Sequence, residues 1–188
     1  MDNGKISVRY ARALFETAKE QQCETEVYEQ LKRLTSNYSQ AIGAFDEALS
    51  NPIIASEEKV KLLKTAIGDP IHPCLARFIE FVSEKKRENK ILLIALKYQE
   101  MYRKEENLLK AEVTTAAEID DQAVQRIRQF VEQTFNRRVE MHLKTNPELI
   151  GGFILDIEHN RMDSSVKGLL EKIKKDELLT RPEGVPYQ

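Results

Sequence analysis

The spacing of apolar residues changes near Leu108, and this change constrains the fold more than any other feature. Before it, apolar side chains recur every three or four residues, as on one face of an α-helix. After it, the stretch LKAEVTT (109–115) alternates apolar and polar residues, as a strand with one buried face does. The sequence therefore predicts a mainly α protein, with an N-terminal six-helix bundle in residues 1–108 and a small α+β domain in residues 109–188.

The six helices are predicted from their apolar stripes and from the residues that start and stop them. Ser7 is the predicted N-cap of the first helix, and Ser56 that of the fourth, which Gly68 ends. Pro73 opens the fifth helix, and the sixth runs from about residue 90 to residue 107. The first helix has an apolar stripe that Tyr10 and Ala13 widen beyond one core contact, and the fifth has four large apolar residues within eight positions.

The second region is predicted to run strand, helix, strand, strand, helix. Asp120 or Asp121 starts its first helix, RVEMHLK and FILDI form two further strands, and the last helix runs from about Ser164 to Leu179. The residues expected to face inward from the first of these helices are Val124, Ile127, Val131 and Phe135.

Composition and charge exclude several classes of protein. The 29 basic and 31 acidic residues leave a net charge of −2, so no overall field draws the chain to nucleic acid or anionic lipid. No apolar run is long enough to span a bilayer, and the N-terminus lacks a signal-peptide core. Cys23 and Cys74 are far apart and are expected to be free thiols. A nucleic-acid-binding α+β protein remains the alternative, but it requires a basic stripe that the sequence does not contain.

Three of the seven glycines fall between Asn146 and Leu170, yet this stretch does not read as a catalytic or nucleotide site. Phosphate-binding loops place the glycines after a strand and before a helix, whereas here Gly151 and Gly152 precede the strand. A hydrolytic trio could be drawn from His159, Asp163 and Ser164 or Ser165, but no strained turn of a serine nucleophile surrounds the serines. No catalytic residue, cofactor or metal is predicted, and a small-molecule enzyme would lack a convergent site.

A structural corner is the favoured interpretation of the same stretch. Gly151 and Gly152 allow a positive φ or a close backbone approach before the strand. Asp163 or one of the serines after it is expected to cap the last helix, and Gly168 to let that helix pack closely.

The segment LIGGFILDIEHNRMDSSVKGLLEKI resembles the C-terminal signature of the delta subunit of F-type ATP synthases, called OSCP in mitochondria, and YARALFETA resembles the N-terminal helix of that family. Where the family often has a glycine in the turn, this chain has EHNR, and Asn160 is expected to take the left-handed conformation. The signature falls on Gly151, Gly152, Asp163, Ser165, Val166, Lys167, Gly168 and Leu170.

The resemblance implies a non-catalytic stator subunit at the cytoplasmic face of the bacterial inner membrane, held at the membrane only through the complex. Its partners would be the alpha and beta subunits of the catalytic head and subunit b of the peripheral stalk. N-terminal helices of alpha subunits would dock in a groove on the first and fifth helices, and balanced charge suggests that this docking depends weakly on salt. The candidate groove residues are Tyr10, Leu14, Phe15, Leu75, Phe78 and Ile79. The candidates for the subunit b site or its support are Gly151, Gly152, Asp163, Ser165, Val166, Gly168 and Leu170.

Overall fold

The computed structural model describes residues 3–158 and 160–170. Over these residues the chain is mainly helical, with one small four-stranded sheet, which agrees with the predicted combination of helices and sheet. It divides into two compact units, Met1–Glu106 and Asn107–Gln188.

From residue 3 onward, the described part of the first unit contains six α-helices and a short 3-10 turn. They are α1 Asn3–Glu20, α2 Glu24–Gln40, α3 Ile42–Ser50, α4 Ser56–Ile67, α5 Pro73–Glu84, the turn Glu88–Lys90, and α6 Ile91–Glu105. Two predicted caps are wrong. Helix α1 begins before Ser7, which lies buried within it, and Ser56 is the first residue of α4 rather than its cap. The N-cap of α5 is His72, because its Nδ1 accepts the backbone N–H of Cys74.

Helix α6 packs against α1 and α2 in the core of this unit. Its Tyr98 is fully buried and donates its hydroxyl to the backbone oxygen of Glu24, 3.0 Å away. Gln99 donates to the backbone oxygen of Leu31 at 3.2 Å. Tyr102, the third polar side chain on the buried face of α6, shares a hydrogen bond with the Thr25 hydroxyl at 3.0 Å. All three are thus hydrogen-bonded, as burial requires.

The described part of the second unit contains β1 Leu108–Thr115, α7 Asp121–Phe135, β2 Arg138–Thr145, β3 Phe153–Ile157 and β4 Asn160–Asp163. Its four strands form a sheet with the spatial order β2-β1-β3-β4. Strands β1 and β2 are parallel and are connected through α7, whereas β3 pairs antiparallel with β1 and β4 antiparallel with β3. Residues 166–170 are helical, and the rest of the predicted last helix lies outside the described residues.

Alternating residues of β1 form the core of this unit with Val131 of α7, as their spacing predicted. Phe135 was expected to face inward but is exposed in the last turn of α7. Strand β4 was not predicted, because its four residues are all exposed and carry no alternating apolar pattern. Among the described residues of the turn, Glu158 is left-handed, with φ 49°, whereas Asn160 begins β4.

Candidate partner-binding surfaces

A groove of about 530 Å³ lies between α1 and α5 in the first unit. Apolar side chains supply most of its lining, and each of the two helices contributes one arginine. Among the residues that the structure describes, neither aspartate nor glutamate lines it. Its lining residues are Arg9, Tyr10, Ala13, Leu14, Thr17, Gln21, Cys74, Arg77, Phe78 and Phe81.

Three aromatic rings form one wall of the groove. The ring of Tyr10 stacks on Phe81 with their centres 5.9 Å apart and meets the edge of Phe78 at 6.4 Å. Phe81 is 45% exposed, whereas Tyr10 is 8% exposed. Arg87 of the following loop donates to the Tyr10 hydroxyl at 2.6 Å. A large exposed ring, such as that of Phe81, stacked on a buried and hydrogen-bonded ring, such as that of Tyr10, is typical of a surface that a partner covers.

Of the six residues predicted to line the groove, Tyr10, Leu14 and Phe78 do so. The other three lie elsewhere, which corrects that expectation. Leu75 and Ile79 are buried on the core face of α5. Phe15 packs edge-on against Tyr98 of α6, with the ring centres 5.4 Å apart, because it lies on the side of α1 that faces α6.

Sequence reasoning missed several lining residues, chiefly Phe81, Arg77 and Arg9. A signal for Phe81 was present: it follows Phe78 by three residues and Cys74 by seven, so all three share one helical face. That face is adjacent to the stripe of Leu75 and Ile79, which faces the core.

Cys74 lines the groove from below and lies close to Cys23, and both thiols are free and buried. Burial raises the pKa of the Cys23 thiol to about 11, and the neighbouring Cys74 adds to the rise. Burial also raises the pKa of the Cys74 thiol. Because the thiolate is the reactive form, neither thiol is suited to nucleophilic chemistry near neutral pH.

In the second unit, the predicted corner is present around Gly152. This residue has φ +73°, and a Cβ at this position would collide with the backbone oxygen of Ser164. Two backbone hydrogen bonds hold these two segments together. The N–H of Ser164 donates to the backbone oxygen of Phe153 at 3.0 Å, and the N–H of Val166 donates to that of Gly151 at 3.0 Å. The glycines therefore let the start of β3 lie directly against the start of the last helix.

Ser165 is the cap of that helix, and Asp163 orients it. The buried Ser165 hydroxyl donates to Asp163 Oδ1 at 2.6 Å and accepts the backbone N–H of Gly168 at 3.0 Å. Asp163 Oδ1 also accepts the N–H of Ser165 at 2.9 Å. A Cβ on Gly168 would lie 2.9 Å from both carboxylate oxygens of Asp163, so the glycine makes room for this network. The signature residues are thus brought together by hydrogen bonds rather than around a reacting centre.

A second apolar depression, of about 330 Å³, lies between α7 and the β3–β4 hairpin. It is lined by Arg126, Ile127, Phe130, Phe153, Leu155 and Met162. Phe130 is 57% exposed, and Met162 is also exposed. Ile127 was predicted to face inward, but no depression was predicted at this place, because the hairpin that contributes Met162 was not predicted. Val166 and Leu170, which follow Met162 in the sequence, are also exposed.

The family model described as ATP synthase delta (OSCP) subunit matches residues 6–176. The chain belongs to this family. An ATP synthase subunit delta of Phocaeicola vulgatus is 36% identical over 92% of this chain and 93% of the relative. That of Parabacteroides distasonis is 38% identical over 93% of this chain and 96% of the relative. In a cryo-EM structure of the Toxoplasma gondii mitochondrial ATP synthase hexamer, one chain shares the fold, with a TM-score of 0.67 and 20% identity over 94% of this chain and 98% of that one.

A delta (OSCP) subunit is a non-catalytic stator component of the ATP synthase, and its partners are other subunits of that complex. The family resemblance seen in the sequence is thereby confirmed, and nothing favours the nucleic-acid alternative. Across residues 3–158 and 160–170, no group of His, Cys, Asp and Glu side chains could hold a metal ion. Within the same ranges, no helix is both long and apolar enough to cross a membrane.

Proposed function

We propose that the chain links the catalytic head of the ATP synthase to its peripheral stalk, with one attachment in each unit. The six helices of residues 1–108 act as one bundle that holds the N-terminal helix of an alpha subunit in the α1–α5 groove. Residues 109–188 form the domain that holds the end of subunit b. The observation that carries the proposal is the apolar groove itself, with Phe81 left 45% exposed on a folded unit.

The shape and chemistry of the groove fit a docked helix. A helix with its side chains is about 10 Å across and presents one apolar stripe to its partner. The aromatic wall of Tyr10, Phe78 and Phe81 offers rigid rings against such a stripe, with little side-chain entropy to lose on binding. The contact at the groove would then bury Phe81, which the bundle alone leaves in water.

The attachment of subunit b is assigned to the second unit from two neighbouring features. The corner of Gly151, Gly152, Asp163, Ser165 and Gly168 fixes the start of the last helix against β3. The depression around Phe130 and Met162 offers exposed apolar surface on the sheet beside it. The corner supports this attachment site, and the depression makes the contact with subunit b. Val166 and Leu170, which lie near the corner in the sequence, are also exposed.

A stator must resist the torque that rotation places on the head. Packed helices and buried apolar contacts transmit force with small displacement, whereas a flexible linker would extend first. We place the subunit at the cytoplasmic face of a bacterial inner membrane, attached only through its partners.

Two matched exposed phenylalanines test the division of labour. Phe81→Ser in the groove should weaken binding of a synthetic alpha-subunit N-terminal peptide at least about tenfold, because it removes the most exposed ring of the wall. Phe130→Ser on α7 should weaken binding of a soluble C-terminal fragment of subunit b by a similar factor. Each variant is the control for the other, since both remove one exposed ring and should change thermal stability little. Calorimetry of both ligands on both proteins measures the four affinities.

The pattern of loss decides the outcome. Phe81→Ser should leave subunit b affinity unchanged, and Phe130→Ser should leave alpha-peptide affinity unchanged. If Phe81→Ser bound the alpha peptide as the unmodified protein does, the groove would not be the alpha site. If each variant lost both ligands while remaining folded, the attachments would not be separate.

A further inference from the structure

The α1–α5 groove carries positive charge that the balanced composition of the chain conceals. Arg9 of α1 and Arg77 of α5 are exposed on the two helices that form it. Neither guanidinium forms an ion pair or hydrogen bond with the part of the chain that the structure describes. Both are therefore available to a ligand lying between them.

Two further cations lie on the aromatic wall of the groove. The Arg87 guanidinium is 5.3 Å from the centre of the Tyr10 ring, and Lys85 Nζ is 5.6 Å from the centre of the Phe81 ring. Cations held over aromatic faces keep their charge near the apolar surface on which a docked helix would rest. The positive potential is therefore found along the groove as well as at its edges.

The acidic side chains of α5 face away from this surface. Glu80 and Glu84 line a different depression, shared with α4, where Glu80 accepts a hydrogen bond from Lys64 at 2.7 Å. Because no aspartate or glutamate of the described ranges lines the groove, no side chain of that lining neutralises Arg9 and Arg77.

We infer that the groove selects an amphipathic helix whose apolar stripe is bordered by aspartate or glutamate. Arg9 and Arg77 are the residues that bind those carboxylates. This inference rests on the proposed function, which places a helix in the groove, and adds the charge that the helix must carry. Complementary charges favour correct register and raise the association rate, and exposed pairs weaken as salt screens them. Docking should therefore depend on salt, in contrast to the weak dependence that the net charge of −2 suggested.

The test compares two designed peptides that share one apolar stripe and differ only in its border, which is glutamate in one and lysine in the other. Each is measured by calorimetry at about 0.05 M and about 0.3 M salt, alongside the alpha-subunit N-terminal peptide from the same organism. The variants are Arg9→Gln and Arg77→Gln. Arg33→Gln is the matched control, because Arg33 is an exposed arginine of α2 outside the groove and its replacement changes the net charge equally.

The glutamate-bordered peptide should bind more tightly than the lysine-bordered one. Each groove variant should weaken it about three- to fivefold at low salt, and less at high salt, as exposed charge pairs do. Arg33→Gln should leave the affinity within about 1.5-fold. Equal affinities for the two peptides, or no loss in either groove variant, would overturn the inference while alpha-peptide binding could still support the proposed function. Arginine-dependent binding of the glutamate-bordered peptide without any alpha-peptide binding would support the inference and reject the alpha subunit as the occupant.

Discussion

At the scale of single residues, Ser165 illustrates how one side chain organises the signature of the second unit. Its hydroxyl accepts from Gly168 and donates to Asp163, so its loss leaves the N–H of Gly168 without its cap and Asp163 without one of its donors. Ser165→Ala should therefore lower the free energy of unfolding of the second unit by about 1 kcal/mol. Ser164→Ala is the matched control, because the Ser164 side chain is exposed and should change stability by less than about 0.5 kcal/mol.

Urea unfolding of the full chain, followed by probes in the second unit, measures this difference, and hydrogen exchange at Gly168 reports the cap directly. Faster exchange at Gly168 in Ser165→Ala alone is the expected result. Equal effects of the two serine replacements would mean that the cap does not stabilise the helix start.

The buried thiols give a second expectation at this scale. Because burial raises the pKa of Cys23 to about 11 and also raises that of Cys74, both remain protonated in the folded protein at about pH 8. Alkylation by iodoacetamide at that pH should be slow in the native protein and fast after denaturation in urea, which exposes ordinary thiols. Mass spectrometry counts the modified cysteines, and rapid native alkylation of either one would contradict this description of the bundle.

At the scale of elements, apolar spacing predicted the helices and three of the four strands, because a buried face repeats with the period of its element. It could not decide which of two adjacent stripes faces the core. In α5, Leu75 and Ile79 are buried while Phe78 and Phe81 line the groove, although all four are large and apolar. That choice depends on where α1, α4 and α6 lie, which is a tertiary property. Strand β4 was missed for a related reason: its pairing with β3, rather than its own sequence, makes it a strand.

The same limit applies to the candidate sites. The signature of the second unit was predicted well, because glycines and capping residues act locally and their spacing is informative. The groove was predicted in part. Phe15 is aromatic and lies on α1, as a groove residue would, but it packs on Tyr98 of α6. It could be excluded from the groove only once the position of α6 was known.

At the scale of the whole molecule, we propose that one chain holds two partners at once through two separate units. The most direct measurement is sedimentation equilibrium of the full chain mixed with an alpha-subunit N-terminal peptide and a soluble subunit b fragment. We expect a complex containing one copy of each, with each ligand bound as tightly in the presence of the other as alone. Competition between the two ligands, so that only binary complexes form, would contradict it.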